Sequence, residues 1–209
     1  MNIDLIAVAV GFGVLLISLT IHEAAHAWTA DRLGDPTARM LGRVSLNPAA
    51  HIDWIGTVLF PLIAMITHFP LIGWAKPVPV NTRNLQHPRR DFMIVAAAGP
   101  ISNLLQAVAA AIVLRVAGAS LADSMPGWAV GALTLAVEIN LLLAFFNLIP
   151  VPPLDGGNVM LGLLPPRAAA VYVQLRQYGF LLLYALFLTG IASAIMMPPT
   201  RFFERILLP

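Results

Sequence analysis

Two histidines and a glutamate lie together at the end of the first apolar run of the chain, as His22-Glu23-Ala-Ala-His26. On a helix, residues four positions apart share a face, so both imidazoles can present a nitrogen to one metal ion. The carboxylate next to the first histidine can then reach a water activated by that metal and act as a general base. The pattern predicts a zinc hydrolase site with His22 and His26 as ligands and Glu23 as base.

The residues that precede this motif indicate where the site lies. The run from Leu5 to Ile21 has no charged residue. Ionisable groups in a membrane helix are costly, and by default they mark function. On a soluble helix such a pattern arises by chance, but this helix is apolar and offers no polar core that would explain the motif. We therefore expect a metal site inside the membrane.

The composition also indicates an integral membrane protein. The 209 residues are 59% hydrophobic and 11% charged, with a mean hydropathy of +0.83, whereas a soluble domain has about 25% charged residues. A formal net charge of only +2 gives no indication of nucleic-acid binding. The chain has no cysteine, so disulfides and thiolate ligands are excluded, and zinc must be held by His, Asp or Glu.

Apolar segments predict four full membrane helices, each near the roughly 20 residues that cross a bilayer. They run from Asp4 to Leu33, from Met93 to Leu114, from Trp128 to Leu148 and from Phe180 to Met197. A fifth apolar segment, Trp54 to Phe69, is shorter, and it either crosses the membrane or dips in and returns. Because the sequence shows no repeat and no long linker, we interpret residues 1–209 as one all-α polytopic membrane domain.

A catalytic zinc takes three protein ligands and a water, so a third ligand is needed. The best candidate is Asp155, in Asn147-Leu-Ile-Pro-Val-Pro-Pro-Leu-Asp155-Gly-Gly. The prolines cannot continue the preceding helix, and the glycines allow a sharp turn and a close approach to neighbouring chain. Broken backbone at membrane depth is tolerated where it is buried or lines a wet cavity. A plain helix N-cap is the alternative role for Asp155.

The positions of lysine and arginine residues indicate whether the fifth segment crosses the membrane. A full crossing divides the basic residues six against six between the two sides, whereas a re-entrant segment divides them nine against three. The second division follows the positive-inside rule and makes the richer side cytoplasmic. It also lets Asp155 reach the depth of His22, about 27 Å along the first helix. We predict a re-entrant segment and an active site towards the cytoplasm; a full crossing with an unwound, returning Asp155 loop is the alternative.

Three further polar or small residues are candidates for the site. Asn147 can donate to the oxyanion of a tetrahedral intermediate, or alternatively cap carbonyls freed at the helix break. Gly99 and Asn103 are four apart and share a face. Gly99 allows close helix packing, and Asn103 either contacts the site and substrate or joins two helices. The sequence around His51 does not favour a second metal site, and Glu138 is interpreted as paired or near an interface.

Residues 73–81, Gly-Trp-Ala-Lys-Pro-Val-Pro-Val-Asn, predict a short membrane-associated β element. Alternate residues of a strand point their N–H groups to the same edge. Pro77 and Pro79 therefore blunt one edge, while Val78 and Val80 keep donors on the other. An open edge can bind an unwound substrate by β-addition, which makes Val78 and Val80 candidate substrate-binding residues. A proline-rich loop is the alternative.

His-Glu-x-x-His in an early membrane helix, followed by Asn-x-x-Pro and Leu-Asp-Gly in a later one, resembles the site-2 proteases over about residues 17–162. These are intramembrane zinc metalloproteases that cut membrane-spanning or near-membrane segments of other proteins. The resemblance implies His22, His26 and Asp155 as zinc ligands. It also implies Glu23 as base and Asn147 at the substrate or oxyanion.

Other elements of the family pattern have counterparts in the chain. Ala98-Gly99-Pro-Ile-Ser-Asn103 matches the Gly-x-x-x-Asn element of the central helix, and the family has a strand element near residues 73–81. No segment resembles the PDZ or CBS domain of larger members, so the expectation is a minimal, core-only member. We expect a multi-pass protein of a prokaryotic cell membrane that acts on membrane proteins within the lipid bilayer.

Three other classes are compatible with parts of this pattern. CAAX-processing membrane metalloproteases also have His-Glu-x-x-His, but they take a glutamate as third ligand where this chain offers Asp155. A non-proteolytic metal-binding or transport protein is expected to have metal-binding residues on several helices and a repeat. An inactive membrane binder is expected to lack Glu23 or a ligand. The sequence favours a zinc metalloendopeptidase of regulated intramembrane proteolysis, and it leaves the substrate and the oligomeric state open.

Overall fold

The computed structural model describes residues 5–67, 74–121 and 126–208. Within these ranges, four segments are long and apolar enough to cross a membrane: Leu5–Arg32, Pro88–Ala117, Gly127–Asn147 and Pro166–Leu188. Large apolar side chains on them face outward; Leu105, Leu181 and Leu188, for example, are 65%, 69% and 86% exposed. Helices that are apolar all round are typical of membrane spans, so the prediction of a polytopic membrane protein is confirmed.

The described ranges are mainly α-helical. The α-helices are α1 (Leu5–Arg32), α2 (Thr37–Met40), α3 (Phe60–Thr67), α4 (Pro88–Leu121), α5 (Gly127–Asn147), α6 (Asp155–Leu163), α7 (Pro166–Tyr172), α8 (Gly179–Leu188) and α9 (Ile191–Leu207). A π-helical turn, Trp54–Leu59, leads directly into α3, and 3₁₀ turns occur at Pro48–Ala50 and Val173–Tyr178.

Helix α4 is the centre of the packing. It contacts α1 on one side, α5 on another and α6 near its N-terminal half. Its interface with α5 contains Ala107, Ala111, Val137 and Leu141, each at most 2% exposed. Small residues let helices approach closely in a membrane, where packing rather than water exclusion holds them together. Because α4 touches both α1 and α6, it fixes the position of the histidine pair relative to the segment that carries Asp155.

The predicted last span, Phe180 to Met197, is wrong as one continuous helix. Helix α8 ends at Leu188, and α9 begins at Ile191. Gly190 between them has a φ of 74°, a left-handed conformation that ends helices and that glycine adopts without steric cost. The hydropathy pattern did not reveal this break because both flanking segments are apolar. The first three predicted spans correspond to α1, α4 and α5.

The predicted short β element is also wrong, since no strand is present in the described part of residues 73–81, which begins at Trp74. The backbone N–H groups of Trp74 and Lys76 donate to the carbonyls of Gly56 and His51, each at 3.0 Å. Those carbonyls belong to a loop and a helical turn, so no ladder forms. We call residues 74–80 the extended segment.

The fifth apolar segment is short, and the chain that follows it contacts the residues at its start. The π-helical turn and α3 together span 14 residues, about 20 Å, against roughly 30 Å of bilayer core. Beyond α3, residues 68–73, which include the predicted end at Phe69, lie outside the described ranges. At Trp74 the chain is again beside the start of the segment, because the Thr57 hydroxyl donates to the Trp74 carbonyl at 2.9 Å.

A buried carboxylate fixes the other end of the extended segment. Asp35, just after α1, is fully buried and accepts from the Asn81 N–H at 2.7 Å, from the Asn84 side chain at 2.8 Å, and from both the N–H and the hydroxyl of Thr37. Burial alone raises the pKa of Asp35, but these hydrogen bonds outweigh it and bring the pKa below its ordinary value. The charged form of Asp35 therefore ties the extended segment to the end of α1.

Candidate metal centre

Three predicted ligand atoms converge between α1 and α6. The Nε2 atoms of His22 and His26 are 3.1 Å apart, and Asp155 Oδ2 lies 3.1 Å from the first and 3.3 Å from the second. Ligands of a tetrahedral zinc with bonds of about 2.0–2.1 Å are about 3.3 Å apart. Among the described residues, His22, His26 and Asp155 form the group of His, Asp and Glu side chains whose ligand atoms are close enough together to hold one metal ion.

The hydrogen bond made by Nδ1 of each imidazole determines whether its Nε2, which faces the other ligand atoms, carries a hydrogen or a lone pair. His22 Nδ1 is 2.5 Å from Asn103 Oδ1, and His26 Nδ1 is 2.7 Å from the Val95 carbonyl. Both partners are oxygens that only accept, so each Nδ1 carries a hydrogen and each Nε2 turns a lone pair inward. Asp155 Oδ2 is buried and receives no hydrogen bond. Three mutually repelling lone-pair atoms at this separation fit a bound cation, and this donor set fits zinc.

The turn between α5 and α6 brings Asp155 to the histidines. Asp155 is the first residue of α6. A Cβ on Gly156 would lie 2.5 Å from the Ile149 carbonyl oxygen, and one on Gly157 would lie 2.8 Å from Pro152 N. No side chain fits at either position, because the start of α6 packs directly on the turn that follows α5. The close approach expected from the two glycines is confirmed, and it turns the carboxylate towards α1.

Gly99 lies where α4 passes the histidine pair. A Cβ at this position would be 2.5 Å from His22 Nε2 and as near to His26 Nε2. The glycine therefore leaves room for the metal centre itself, beyond allowing two helices to pack. Asn103, one turn further along α4, is fully buried, and its side chain contacts His22 and Asn140. Neither Gly99 nor Asn103 lines the cavity described next.

A cavity of about 370 Å³ opens beside the three ligand atoms, within the usual size range of ligand sites. Glu23 lies in its wall and is 9% exposed. The lining includes seven residues predicted from the sequence: His22, Glu23, His26, Val78, Val80, Asn147 and Asp155. Four separate parts of the chain thus contribute predicted residues to one cavity.

Asn147 makes the carbonyl cap that was one of the two interpretations from the sequence, and it also lines the cavity. Its side-chain nitrogen donates to the Leu143 carbonyl at 3.0 Å, which caps a carbonyl at the end of α5. A side-chain amide has two N–H donors, and the second has no acceptor among the described residues. Since Asn147 also lines the cavity, this second donor is available to a bound molecule.

Arg43, which lies beside the site, is a residue that sequence reasoning missed. It is 5% exposed, and its guanidinium donates to the Lys76 carbonyl in the extended segment. Burial lowers the pKa of Arg43 below its ordinary value, and the nearby Glu23 charge opposes that decrease. Arg43 thus joins the extended segment to the neighbourhood of Glu23. Its loop has no spacing pattern relative to either partner, so the sequence held no signal for it.

His51 has a structural partner. It is 2% exposed, its Nε2 lies 2.8 Å from the Ser45 carbonyl, and no second cluster of ligand atoms appears in the described ranges. Glu138 lies outside the cavity, on the part of α5 near Glu204 of α9. Neither residue contacts the metal centre.

Comparison with known proteins identifies the family. The family model described as "Peptidase family M50" matches residues 122–189, which include Asn147 and Asp155. A Bacillus subtilis (strain 168) protein named "Putative zinc metalloprotease YwhC" is 37% identical over 187 residues, which cover 88% of this chain and 82% of that protein. The chain belongs to peptidase family M50. This is the site-2 protease family, so the resemblance seen in the sequence motifs is confirmed.

Other relatives of this M50 peptidase are longer. The Mycobacterium tuberculosis (strain H37Rv) protein named "Putative zinc metalloprotease Rip2" is 31% identical over 176 residues, which cover 83% of this chain and 64% of that protein. A Mycolicibacterium smegmatis protein of the same name is 29% identical over 177 residues, with shares of 83% and 64%. The M50 peptidase thus spans less than two thirds of the length of these mycobacterial relatives. No solved structure matches it significantly.

Proposed function

We propose that this M50 peptidase is an intramembrane zinc metalloprotease that hydrolyses peptide bonds in or near membrane-spanning segments of other proteins. The observation that carries this conclusion is the convergence of three lone-pair atoms from His22, His26 and Asp155 within an apolar helix bundle. His22 lies ten residues before the end of α1 at Arg32, about 15 Å along the helix. A hydrolytic centre at that depth is suited to substrates that are themselves in the membrane.

The catalytic roles follow from where each group lies in the cavity. When bound by His22, His26 and Asp155, Zn²⁺ supplies Lewis-acid activation of water and of the scissile carbonyl. The Glu23 carboxylate accepts the proton of the attacking water and transfers it to the amide nitrogen as the carbon–nitrogen bond breaks. The free N–H of the Asn147 side chain is assigned to the oxyanion of the tetrahedral intermediate.

The extended segment is assigned to substrate binding. Val78 and Val80 line the cavity, and their backbone N–H groups have no acceptor among the described residues. The N–H groups of Trp74 and Lys76 lie on the same edge and donate to the Gly56 and His51 carbonyls. The free N–H groups of Val78 and Val80 therefore continue this edge beyond the part that is already hydrogen-bonded. An unwound substrate can pair with them as an added strand, because a peptide bond within a helix is shielded from attack by its own hydrogen bonds.

The proposed topology has the Trp54–Thr67 region entering and leaving on one side of the membrane. Support comes from the hydrogen bonds that join Trp74 to Gly56 and Thr57, and from the shortness of the segment. The side that carries the centre then holds Arg32, Arg39, Arg43, Lys76, Arg83, Arg89, Arg90, Arg167 and Arg176. The other side holds Arg115, Arg201 and Arg205. This bias makes the centre's side cytoplasmic, in a prokaryotic cell membrane.

Labelling of single cysteines tests this orientation, since the chain has no cysteine of its own. We expect Thr82→Cys, beyond the extended segment, to react with a membrane-impermeant maleimide only after cells are permeabilised. Gly127→Cys, at the start of α5, is expected to react in intact cells. Both positions are exposed, so both must react after permeabilisation. Reaction of Thr82→Cys in intact cells would refute the topology.

Metal removal tests the function. We expect the purified protein in detergent to contain one zinc per chain and to cleave members of a panel of membrane-anchored peptides. Treatment with a strong chelator should abolish cleavage, and added Zn²⁺ should restore it. One zinc per chain with no cleavage of any peptide would favour a non-proteolytic metal-binding or transport protein. Absence of zinc would overturn the site itself.

A further inference from the structure

A chain of side-chain hydrogen bonds runs from the candidate ligand His22 away from the cavity and across three helices. His22 Nδ1 donates to Asn103 Oδ1, Asn103 Nδ2 donates to Asn140 Oδ1 at 2.8 Å, and Asn140 Nδ2 donates to the Ser18 hydroxyl at 2.9 Å. All four side chains are buried, with exposures of 4%, 0%, 2% and 2% in that order. We call these four residues the amide relay. Its far end, Asn140 and Ser18, touches neither the cavity nor the ligand atoms.

The direction of the amide relay is set at its far end. Asn140 Nδ2 has two hydrogens, and it donates one to Ser18 and the other to the Ala136 carbonyl at 2.9 Å. A carbonyl cannot donate, so the Asn140 amide cannot be reversed without placing two oxygens together. Asn140 Oδ1 must therefore face Asn103, and Asn103 must turn its nitrogen towards Asn140.

The same logic then reaches the metal centre. Because its nitrogen faces Asn140, Asn103 presents only its oxygen to His22, at 2.5 Å from Nδ1. An oxygen acceptor at Nδ1 selects the tautomer with hydrogen on Nδ1, which leaves the Nε2 lone pair free for a metal. The alternative tautomer would put an N–H among the ligand atoms and set a lone pair against the Asn103 oxygen.

We propose that Asn140, supported by Ser18, is a positioning residue that fixes the tautomer and ring orientation of His22 through Asn103. The proposal rests on the zinc site described under the proposed function, but not on proteolysis. It assigns to α5 a role in metal binding through a residue that reaches the ligand only by way of Asn103 on α4. Outer partners of metal-bound histidines are worth about 10–100-fold in metal affinity or activity.

A purely structural role for the amide relay, as a link between helices, makes a different prediction. Gln106 provides the comparison, because its side chain also joins α4 to α1 by donating to the Ser18 carbonyl, at 3.4 Å. That bond ends on backbone and has no link to the His22 imidazole. If the relay served only to hold helices together, loss of Gln106 and loss of Asn140 would affect zinc in a similar way.

The test measures zinc affinity by competition with a chelator of known affinity, in detergent, for the full-length wild type, Asn140→Leu, Asn140→Asp and Gln106→Leu. We expect Asn140→Leu to bind zinc about 10–100-fold more weakly, and Gln106→Leu to stay within about threefold of the wild type. Asn140→Asp keeps an oxygen for Asn103 but sets its second oxygen against the Ala136 carbonyl, so its affinity is expected to lie between those of the wild type and Asn140→Leu. Wild-type affinity in a folded Asn140→Leu variant, or equal losses in Asn140→Leu and Gln106→Leu, would overturn the proposal.

A second measurement needs no variant and reports the tautomer directly. In metal-free wild-type protein labelled with ¹⁵N-histidine, the His22 signals, assigned by their loss in His22→Gln, should show hydrogen on Nδ1. Hydrogen on Nε2 instead would refute the relay even if every substitution at Asn140 prevented folding. Both readouts are independent of cleavage. A protein that binds zinc through the relay but cleaves nothing would therefore leave this inference intact and contradict only the proposed protease activity.

Discussion

Gly99→Ala is expected to lose bound zinc and proteolysis together. The added methyl group would lie 2.5 Å from His22 Nε2 and as close to His26 Nε2, which is inside van der Waals contact with both ligand atoms. Relief requires the imidazoles to rotate or α4 to move away from α1, and either change separates atoms that now lie 3.1–3.3 Å apart. Since the damage is to the ligands themselves, the loss of zinc affinity should exceed the 10–100-fold of an outer partner.

Gly131→Ala is the matched control for Gly99→Ala. Gly131 also lies within a membrane helix, α5, but a Cβ there meets nothing within 4 Å. We expect the control to keep one zinc per chain and wild-type turnover. Zinc content and thermal unfolding in detergent should be measured for both variants, because overpacking alone costs about 1–3 kcal/mol. A Gly99→Ala protein with full zinc and normal turnover would contradict the geometry of the centre.

Glu23→Gln is expected to lower kcat by about 10²–10⁴-fold, the usual contribution of a general base, while zinc content stays unchanged. Glutamine preserves the size of the side chain and its place in the cavity wall, but it cannot accept a proton from water. Glu23 is not one of the three converging ligand groups, so its replacement should not lower the affinity for zinc. Turnover of a cleaved membrane-anchored peptide and zinc per chain are the two quantities to compare.

Glu138→Gln makes the same chemical change at another acid in the membrane. Glu138 lies on α5 outside the cavity lining, so its replacement should leave kcat near the wild-type value. If Glu23→Gln and Glu138→Gln lowered turnover equally, the loss would reflect a general effect of removing an acid from a membrane helix, and the assignment of the base would fail. Loss of zinc in Glu23→Gln would indicate that the carboxylate holds the centre together rather than accepting a proton.

The features that the sequence predicted well depend on local spacing or on short motifs. Residues four apart share a face in any α-helix, so the proximity of His22 and His26 followed from their spacing. The prolines and glycines around Asp155 predicted a tight turn packed closely on neighbouring chain. What could not be predicted depends on how helices are rotated against one another. The contact between Asn103 and Asn140 joins residues 37 positions apart, and no periodicity in either helix indicates which polar side chains will meet.

Backbone hydrogen bonding explains one of the predicted features that were wrong, and backbone conformation explains the other. The extended segment was predicted as a strand from its alternation and its prolines, but a strand needs a partner, and the Trp74 and Lys76 donors found loop and turn carbonyls instead. The last apolar stretch was predicted as one helix because hydropathy cannot detect a single left-handed residue such as Gly190. In both places the extended or apolar character of the segment was predicted correctly. The hydrogen-bond partners of the first segment and the helix break in the second were not.

The candidate ligands of the metal centre come from the first and the sixth helices, which are far apart along the chain. A bound ion in that position is also a cross-link, and clips that close long loops restrict the unfolded chain the most. Binding that occurs only in the folded state stabilises that state in proportion to the free concentration of the ion. Zinc supply to the membrane would then govern how long each molecule survives as well as whether it is active, and metal-starved cells would hold fewer copies rather than a store of idle enzyme.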